Sequence, residues 1–165
     1  MNIRTISQWC LLAAFVTAGS VAHATAQATP DAIVRSLYAV HDRKTDPFFQ
    51  THSRTRLDLS FTKDLGDLIW KDVKESKGEV GRLDFDPLYN AQDVHIKRLK
   101  IGKPVYGEGN LDLADVPVTF SNMGHAETVM FRVLRNKRRV WRIDDILYTR
   151  EENARSSLRE ILSSN

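Results

Sequence analysis

The sequence predicts an α+β domain in which helices come first and an antiparallel sheet follows. Two observations lead to this fold class. Apolar residues recur at helical spacing between residues 30 and 77, and from residue 94 onward they alternate with a period of two. Because the predicted helices precede the strands instead of alternating with them, the order favours α+β.

Three amphipathic helices are predicted in the first half of the chain. The first begins at Thr29-Pro30, where proline at the first helical position costs no hydrogen bond. A turn at Asp46-Pro47 precedes a short second helix around residues 57–61. The third helix is expected to be capped by Thr62 and closed by Gly78.

The second half predicts an antiparallel meander followed by a short C-terminal helix. Gly- and Asn-containing turns separate the predicted strands. The helix, Glu151 to Leu162, is expected to close one end of the sheet. The predicted strands are Val94 to Val105, Leu111 to Ser121, Thr128 to Arg135 and Val140 to Tyr148.

The N-terminus has the pattern of a cleavable signal peptide, residues 1–24. A positive start at Arg4 is followed by a short apolar run and by small residues ending at Ala24, with cleavage after Ala26 or Ala28 as alternatives. The run is too short for a membrane-spanning helix, which needs roughly 20 apolar residues. The sequence therefore predicts a periplasmic protein without a transmembrane anchor, and one α+β domain over residues 29–162.

The single cysteine and the small net charge limit the kinds of function that the protein can have. Cys10 lies inside the apolar run and is not preceded by small residues, so a lipoprotein is not expected. Removal of the signal would leave no thiol, which excludes disulfides and thiolate catalysis. The formal charge of +3 would fall to +2 without Arg4, because residues 1–24 contain no acidic residue. That excess gives no reason to expect nucleic acid as a partner.

Two charged residues of the predicted sheet are candidates for catalysis. Strict alternation places Arg132 and Asp145 on one face, together with Trp141 and Ile143. A desolvated Asp145 with Arg132 as its electrostatic partner could act as a base, with Tyr89 or His95 nearby. The alternative is a structural cross-strand ion pair, which is common in sheets.

The segment between the helices and the sheet, residues 81–93, is rich in oxygen ligands. Asp84, Asp86, Asn90 and Asp93 could surround Ca²⁺. The segment departs from the EF-hand pattern, and Pro87 stiffens its middle. The alternative is a well-ordered connector whose Asp and Asn side chains accept hydrogen bonds from the backbone. No cofactor is assigned.

Recognisable catalytic motifs are absent from the sequence. There is no G-x-S-x-G motif, and the histidines lack zinc-binding spacing. The four histidines that follow the signal are therefore expected to be surface or boundary residues: His41, His52, His95 and His125.

Four segments together resemble one bacterial family. They are residues 84–93, residues 101–104, Trp141 to Tyr148 and Leu158 to Leu162. The chain is similar to the exported family catalogued as domain of unknown function 3828, which itself resembles the nuclear-transport-factor-2-like superfamily. The resemblance implies a cone-like fold, with helices packed into a curved antiparallel sheet, and it implies no particular activity.

Three classes of function stay open on this basis. The first is a non-catalytic periplasmic module that binds a small ligand or a protein partner. The second is a small hydrolase or isomerase that uses Asp145, and the third is an inhibitor or immunity-type protein. A homodimer through the sheet is a further expectation, since both sheet faces carry apolar residues.

Overall fold

The computed structural model describes residues 29–41, 43–149 and 155–164. The predicted signal peptide lies outside these residues. The described helices are α1 (Pro30–Val40), α2 (Thr55–Ser60), α3 (Lys63–Ser76) and α4 (Leu158–Ser163), with a 3₁₀ turn at Pro47–Phe49. None of these helices has the length and apolarity that crossing a membrane requires.

Within the described ranges, six strands form one antiparallel sheet. Their order across the sheet is β1, β3, β4, β5, β6, with β2 also paired to β3. The α+β class, with helices N-terminal to the sheet and a short C-terminal helix, is confirmed. The strands are β1 (Ile96–Ile101), β2 (Val105–Gly107), β3 (Asn110–Asn122), β4 (His125–Arg135), β5 (Trp141–Thr149) and β6 (Arg155–Ser157).

The two long helices begin as the sequence predicts. Pro30 occupies the first turn of α1, and extended backbone at Thr62 starts α3. The Thr62 hydroxyl does not cap α3 and instead donates to an Asp144 oxygen at 3.0 Å, which ties the helix to β5. At the other end, Lys77 and Gly78 adopt positive φ values of 53° and 92°, which end the helix.

The core lies between the helices and one face of the sheet. Helix α1 contacts β1, β3, β4 and β5, while α2 and α3 contact β5. On the sheet, this helix-covered face consists of buried alternate residues: Ala114, Val116, Val118 and Phe120 on β3, and Val129, Phe131 and Val133 on β4.

A β-bulge on β5 changes which residues face the core. The register steps from Arg132 opposite Asp145 to Val133 opposite Ile143, so Asp144 is the extra residue. Trp141 and Ile143 are therefore buried on the helix-covered face. Strict alternation had placed them with Arg132 and Asp145, and that prediction is wrong because one inserted residue reverses the direction of every side chain beyond it.

The C-terminal helix is shorter than predicted. Arg155–Ser157 pairs with β5 as a strand, and the helix starts only at Leu158. A capping box explains the boundary, because the Ser157 hydroxyl accepts from the Glu160 N–H and the Glu160 carboxylate accepts from the Ser157 N–H. Residues 151–154 of the predicted helix lie outside the described residues.

Candidate functional site

A cavity of about 660 Å³ opens beside the C-terminal half of α3. One wall is the helix, a second is the 3₁₀ turn, and a third is the segment between α3 and β1. We call it the connector cavity. Its lining is mostly apolar and includes Phe48, Phe49, Val73, Val80 and Phe85. Val80 and Phe49 stand at its rim, with exposed fractions of 77% and 60%.

A histidine held between two carboxylates forms the polar wall of this cavity. His41 Nδ1 lies 2.9 Å from an Asp46 oxygen, and His41 Nε2 lies 2.7 Å from an Asp86 oxygen. The His41 side chain is 7% exposed, Asp46 is fully buried and Asp86 is 16% exposed. His41 and Asp86 line the cavity, whereas Asp46 lies behind them.

Counting protons defines the state of this triad. Neutral imidazole has one donor nitrogen and one acceptor nitrogen, and a carboxylate only accepts. Two short contacts to two carboxyl groups therefore require two protons shared among the three side chains, one for each contact. Charge-assisted bonds of this kind are about twice as strong as neutral ones.

Two Asp-Pro turns present the carboxylates to the histidine. In each turn one aspartate oxygen accepts a hydrogen bond from the backbone N–H two residues later. Asp46 accepts from the Phe48 N–H and Asp86 accepts from the Leu88 N–H, both at 2.9 Å. The second oxygen is then left to face His41. Proline directly after each aspartate fixes φ and suits such turns.

Tyrosine hydroxyls hold the backbone next to Asp86. Tyr38 on α1 donates to the Leu88 carbonyl at 2.8 Å, and Tyr148 on β5 donates to the Pro87 carbonyl at 3.0 Å. Burial raises the pKa of both phenols, so that both remain protonated donors. The cavity wall is thereby fixed to the core at two successive carbonyl groups.

A buried carboxylate of α3 holds the start of the same wall. Asp72 is 5% exposed, and one of its oxygens accepts from the Arg82 backbone N–H at 2.9 Å and from the Arg82 guanidinium at 3.2 Å. Gly81 is needed beside it, because a Cβ there would lie 2.5 Å from the other Asp72 oxygen.

The structure gives Asp145 and Arg132 different hydrogen-bond partners. They stand opposite each other in the register, but Arg132 makes a two-pronged pair with Asp115 at 3.0 and 3.1 Å. Asp145 accepts instead from the backbone N–H groups of Ile146 and Arg159. Burial raises the pKa of Asp145. Neither Asp145 nor Arg132 lines the connector cavity.

Tyr89 and His95 are not brought to Asp145. Tyr89 packs against the rings of His41 and Phe120 on the helix-covered face, whereas Asp145 points to the opposite face. His95 is exposed, and its backbone N–H donates to the side-chain oxygen of Asn122. Asn122 lies about 23 Å along β3 from Asp115, the residue opposite Arg132, at about 3.3 Å per residue. His95 is therefore far from the predicted catalytic pair.

The four residues considered for Ca²⁺ do not converge on one point. The Asp86 carboxylate contacts His41 and accepts a hydrogen bond from the Leu88 N–H. The Asp84 carboxylate accepts from Gln92 at 3.4 Å, and the backbone carbonyl of Asp93 accepts from Asn122. Asn90 takes a positive φ of 51°, as turn residues do. Among the described residues, no group of three or more His, Asp or Glu side chains could hold a metal ion.

Sequence reasoning singled out Asp86 for another role and did not connect His41 or Asp46 with it. A usable signal was present, because the Asp-Pro pair occurs both at residues 46–47 and at residues 86–87. The pairing with His41 spans 45 residues and depends on tertiary packing, so spacing along the chain does not reveal it.

The fold and this site define an α+β domain with a largely apolar cavity and a buried acid–histidine–acid triad. Comparison of the chain with protein-family models, curated proteins and solved structures found no match. The family resemblance and the export signal therefore stay predictions.

Proposed function

We propose that this protein is an exported, non-catalytic module that binds a small ligand in the connector cavity. One observation carries the proposal: a cavity of about 660 Å³ whose surface is largely apolar, with His41 and Asp86 among its polar lining residues. Small-molecule sites have volumes of roughly 300–1,000 Å³ and this kind of lining. A bound apolar group would also cover the rim residues Phe49 and Val80.

The state of the triad supports binding over catalysis. A general base needs a lone pair within reach of the substrate proton. Both ring nitrogens of His41 face carboxylates, and both oxygens of Asp86 already accept hydrogen bonds. The triad is thus suited to holding the cavity wall in one position.

The cone-like architecture and periplasmic location belong to the same proposal. Helices that cover one face of an antiparallel sheet are compatible with the nuclear-transport-factor-2-like arrangement. Fractionation of the native host would test export. Recovery of full-length protein, with its first 24 residues, from the cytoplasm would contradict that part.

Binding can be tested with N-phenyl-1-naphthylamine, a neutral apolar dye whose fluorescence rises in apolar sites. We expect saturable binding to the purified protein. Val73 lines the cavity on α3, so Val73→Trp should place an indole ring inside it and weaken dye binding at least roughly tenfold.

The matched control is Lys71→Trp, which adds the same side chain to an exposed position of the same helix outside the cavity. This variant should bind the dye as the wild type does, and thermal melting should show that both variants fold. No saturable signal with the wild type, or equal binding by folded Val73→Trp, would refute the proposed function.

A further inference from the structure

The charged side chains that line the connector cavity are almost all of one sign. Four carboxylates line it, on Asp72, Glu79, Asp84 and Asp86, and the imidazole of His41 stands among them. Among the residues that the structure describes, no lysine or arginine belongs to this lining. The whole chain has 24 Lys and Arg against 21 Asp and Glu, so composition alone would not produce an acidic cavity.

Two of these carboxylates have no ion-pair partner among the described residues. Asp72 is paired with Arg82 and Asp86 with His41. Glu79 and Asp84 make no ion pair within 4 Å with any described residue, and both are exposed at the cavity. Low-dielectric walls focus the field of such charges into the cavity and raise the local concentration of cations.

Aromatic side chains in the cavity lining also favour a positively charged ligand. Phe48, Phe49 and Phe85 line the cavity. Phe48 is held by Phe61 at a ring distance of 5.3 Å, and Phe85 by Tyr148 at 5.8 Å. The faces of aromatic rings attract ammonium groups, and they also provide apolar surface for the rest of a ligand.

We infer that the ligand is an organic cation, a protonated amine or quaternary ammonium carried on an apolar body. The body would lie against the phenylalanines and Val73, and the ammonium group would lie close to Glu79 and Asp84, the two carboxylates without an ion-pair partner. This inference rests on the proposed function, since it requires that the connector cavity binds a ligand, and it adds the chemical class of that ligand.

Three compounds with one apolar body and different end groups test the inference. They are 4-phenylbutylammonium, 4-phenyl-1-butanol and 4-phenylbutanoate, each used to displace N-phenyl-1-naphthylamine from the purified protein. We expect the cation to bind roughly tenfold more tightly than the alcohol, and the anion to bind most weakly. The preference for the cation should shrink as salt is raised, because the carboxylates near the mouth are exposed.

A double variant, Glu79→Gln with Asp84→Asn, should reduce cation affinity by about threefold to tenfold and leave the alcohol unchanged. The matched control is Glu108→Gln with Glu127→Gln, which changes the net charge equally at exposed positions outside the cavity. It should change neither affinity.

The outcomes separate the two proposals. If the dye binds but the alcohol or the anion competes as well as the cation, the cavity is a binding site and the inference about charge is wrong. A charge preference that the control variant loses equally would also overturn it. If the dye itself does not bind, the proposed function fails first.

Discussion

Replacing both carboxylates around His41 with amides should cost more than the two single replacements together. In each Asp-Pro turn one aspartate oxygen accepts a backbone N–H, from Phe48 or from Leu88. An asparagine must keep its oxygen there, so its NH₂ group faces the imidazole. With Asp86→Asn alone, a neutral His41 can accept from that amide at Nε2 and still donate to Asp46 at Nδ1.

The double variant offers no such solution. Two NH₂ donors then face two ring nitrogens, and neutral imidazole has only one acceptor, so one donor is left opposed to an N–H. We expect each single variant, Asp46→Asn or Asp86→Asn, to lose about 1 kcal/mol, the difference between a charge-assisted and a neutral bond. The double variant should lose about 1–3 kcal/mol beyond their sum, the usual cost of a buried unsatisfied group.

Urea unfolding at pH 7 measures this double-mutant cycle. Asp31→Asn and Asp115→Asn are a suitable control pair, because they contact different arginines and share no partner. Their effects should add within about 0.5 kcal/mol. If the effects of Asp46→Asn and Asp86→Asn also add within that limit, the proton count for the triad is wrong.

Two further predictions concern buried acids and glycines. Because burial raises the folded pKa of Asp145 above its ordinary 3.8, its contribution to stability falls as pH rises from about that value through the raised pKa. Asp145→Asn keeps the acceptor for the Arg159 N–H, so it should be at least as stable as wild type at pH 7, with a smaller advantage at pH 3 in urea unfolding. An advantage that grows toward pH 3 would contradict this sign. Gly81→Ala should lose about 1–3 kcal/mol, because its Cβ would lie 2.5 Å from Asp72. Gly66→Ala, within a helix and with ordinary contacts, should instead gain about 0.5–1 kcal/mol in thermal or urea unfolding. Equal effects of the two glycine variants would argue against crowding at Asp72.

Local patterns were sufficient to predict most elements of the fold, but not strand β6 or the break between β1 and β2. The proline at the start of α1, the glycine after α3 and the period of two in the strands each act within a few residues. The start of α4 was missed although its capping box, Ser157 and Glu160, is also local. The apolar stripe by itself predicts a longer helix, whereas the capping box marks the observed start.

The surroundings of the predicted catalytic pair, Arg132 and Asp145, could not be predicted in the same way. Asp144 introduces a bulge that no local pattern announces, and it changes the face to which Trp141 and Ile143 belong. The partner of Arg132 is Asp115, seventeen residues away on another strand. Both outcomes depend on which strands pair and in which register, and the sequence of a single strand does not contain that information.

The hydrogen bonds of Tyr38 and Tyr148 have a consequence for how the lining of this cavity could change during evolution. Tyr38 and Tyr148 hold carbonyl oxygens at residues 88 and 87, and every amino acid supplies such an oxygen. Substitutions at exposed lining positions such as Glu79 or Asp84 therefore leave this attachment intact. Related proteins could exchange one ligand for another through such substitutions while the frame that carries the cavity wall stays the same.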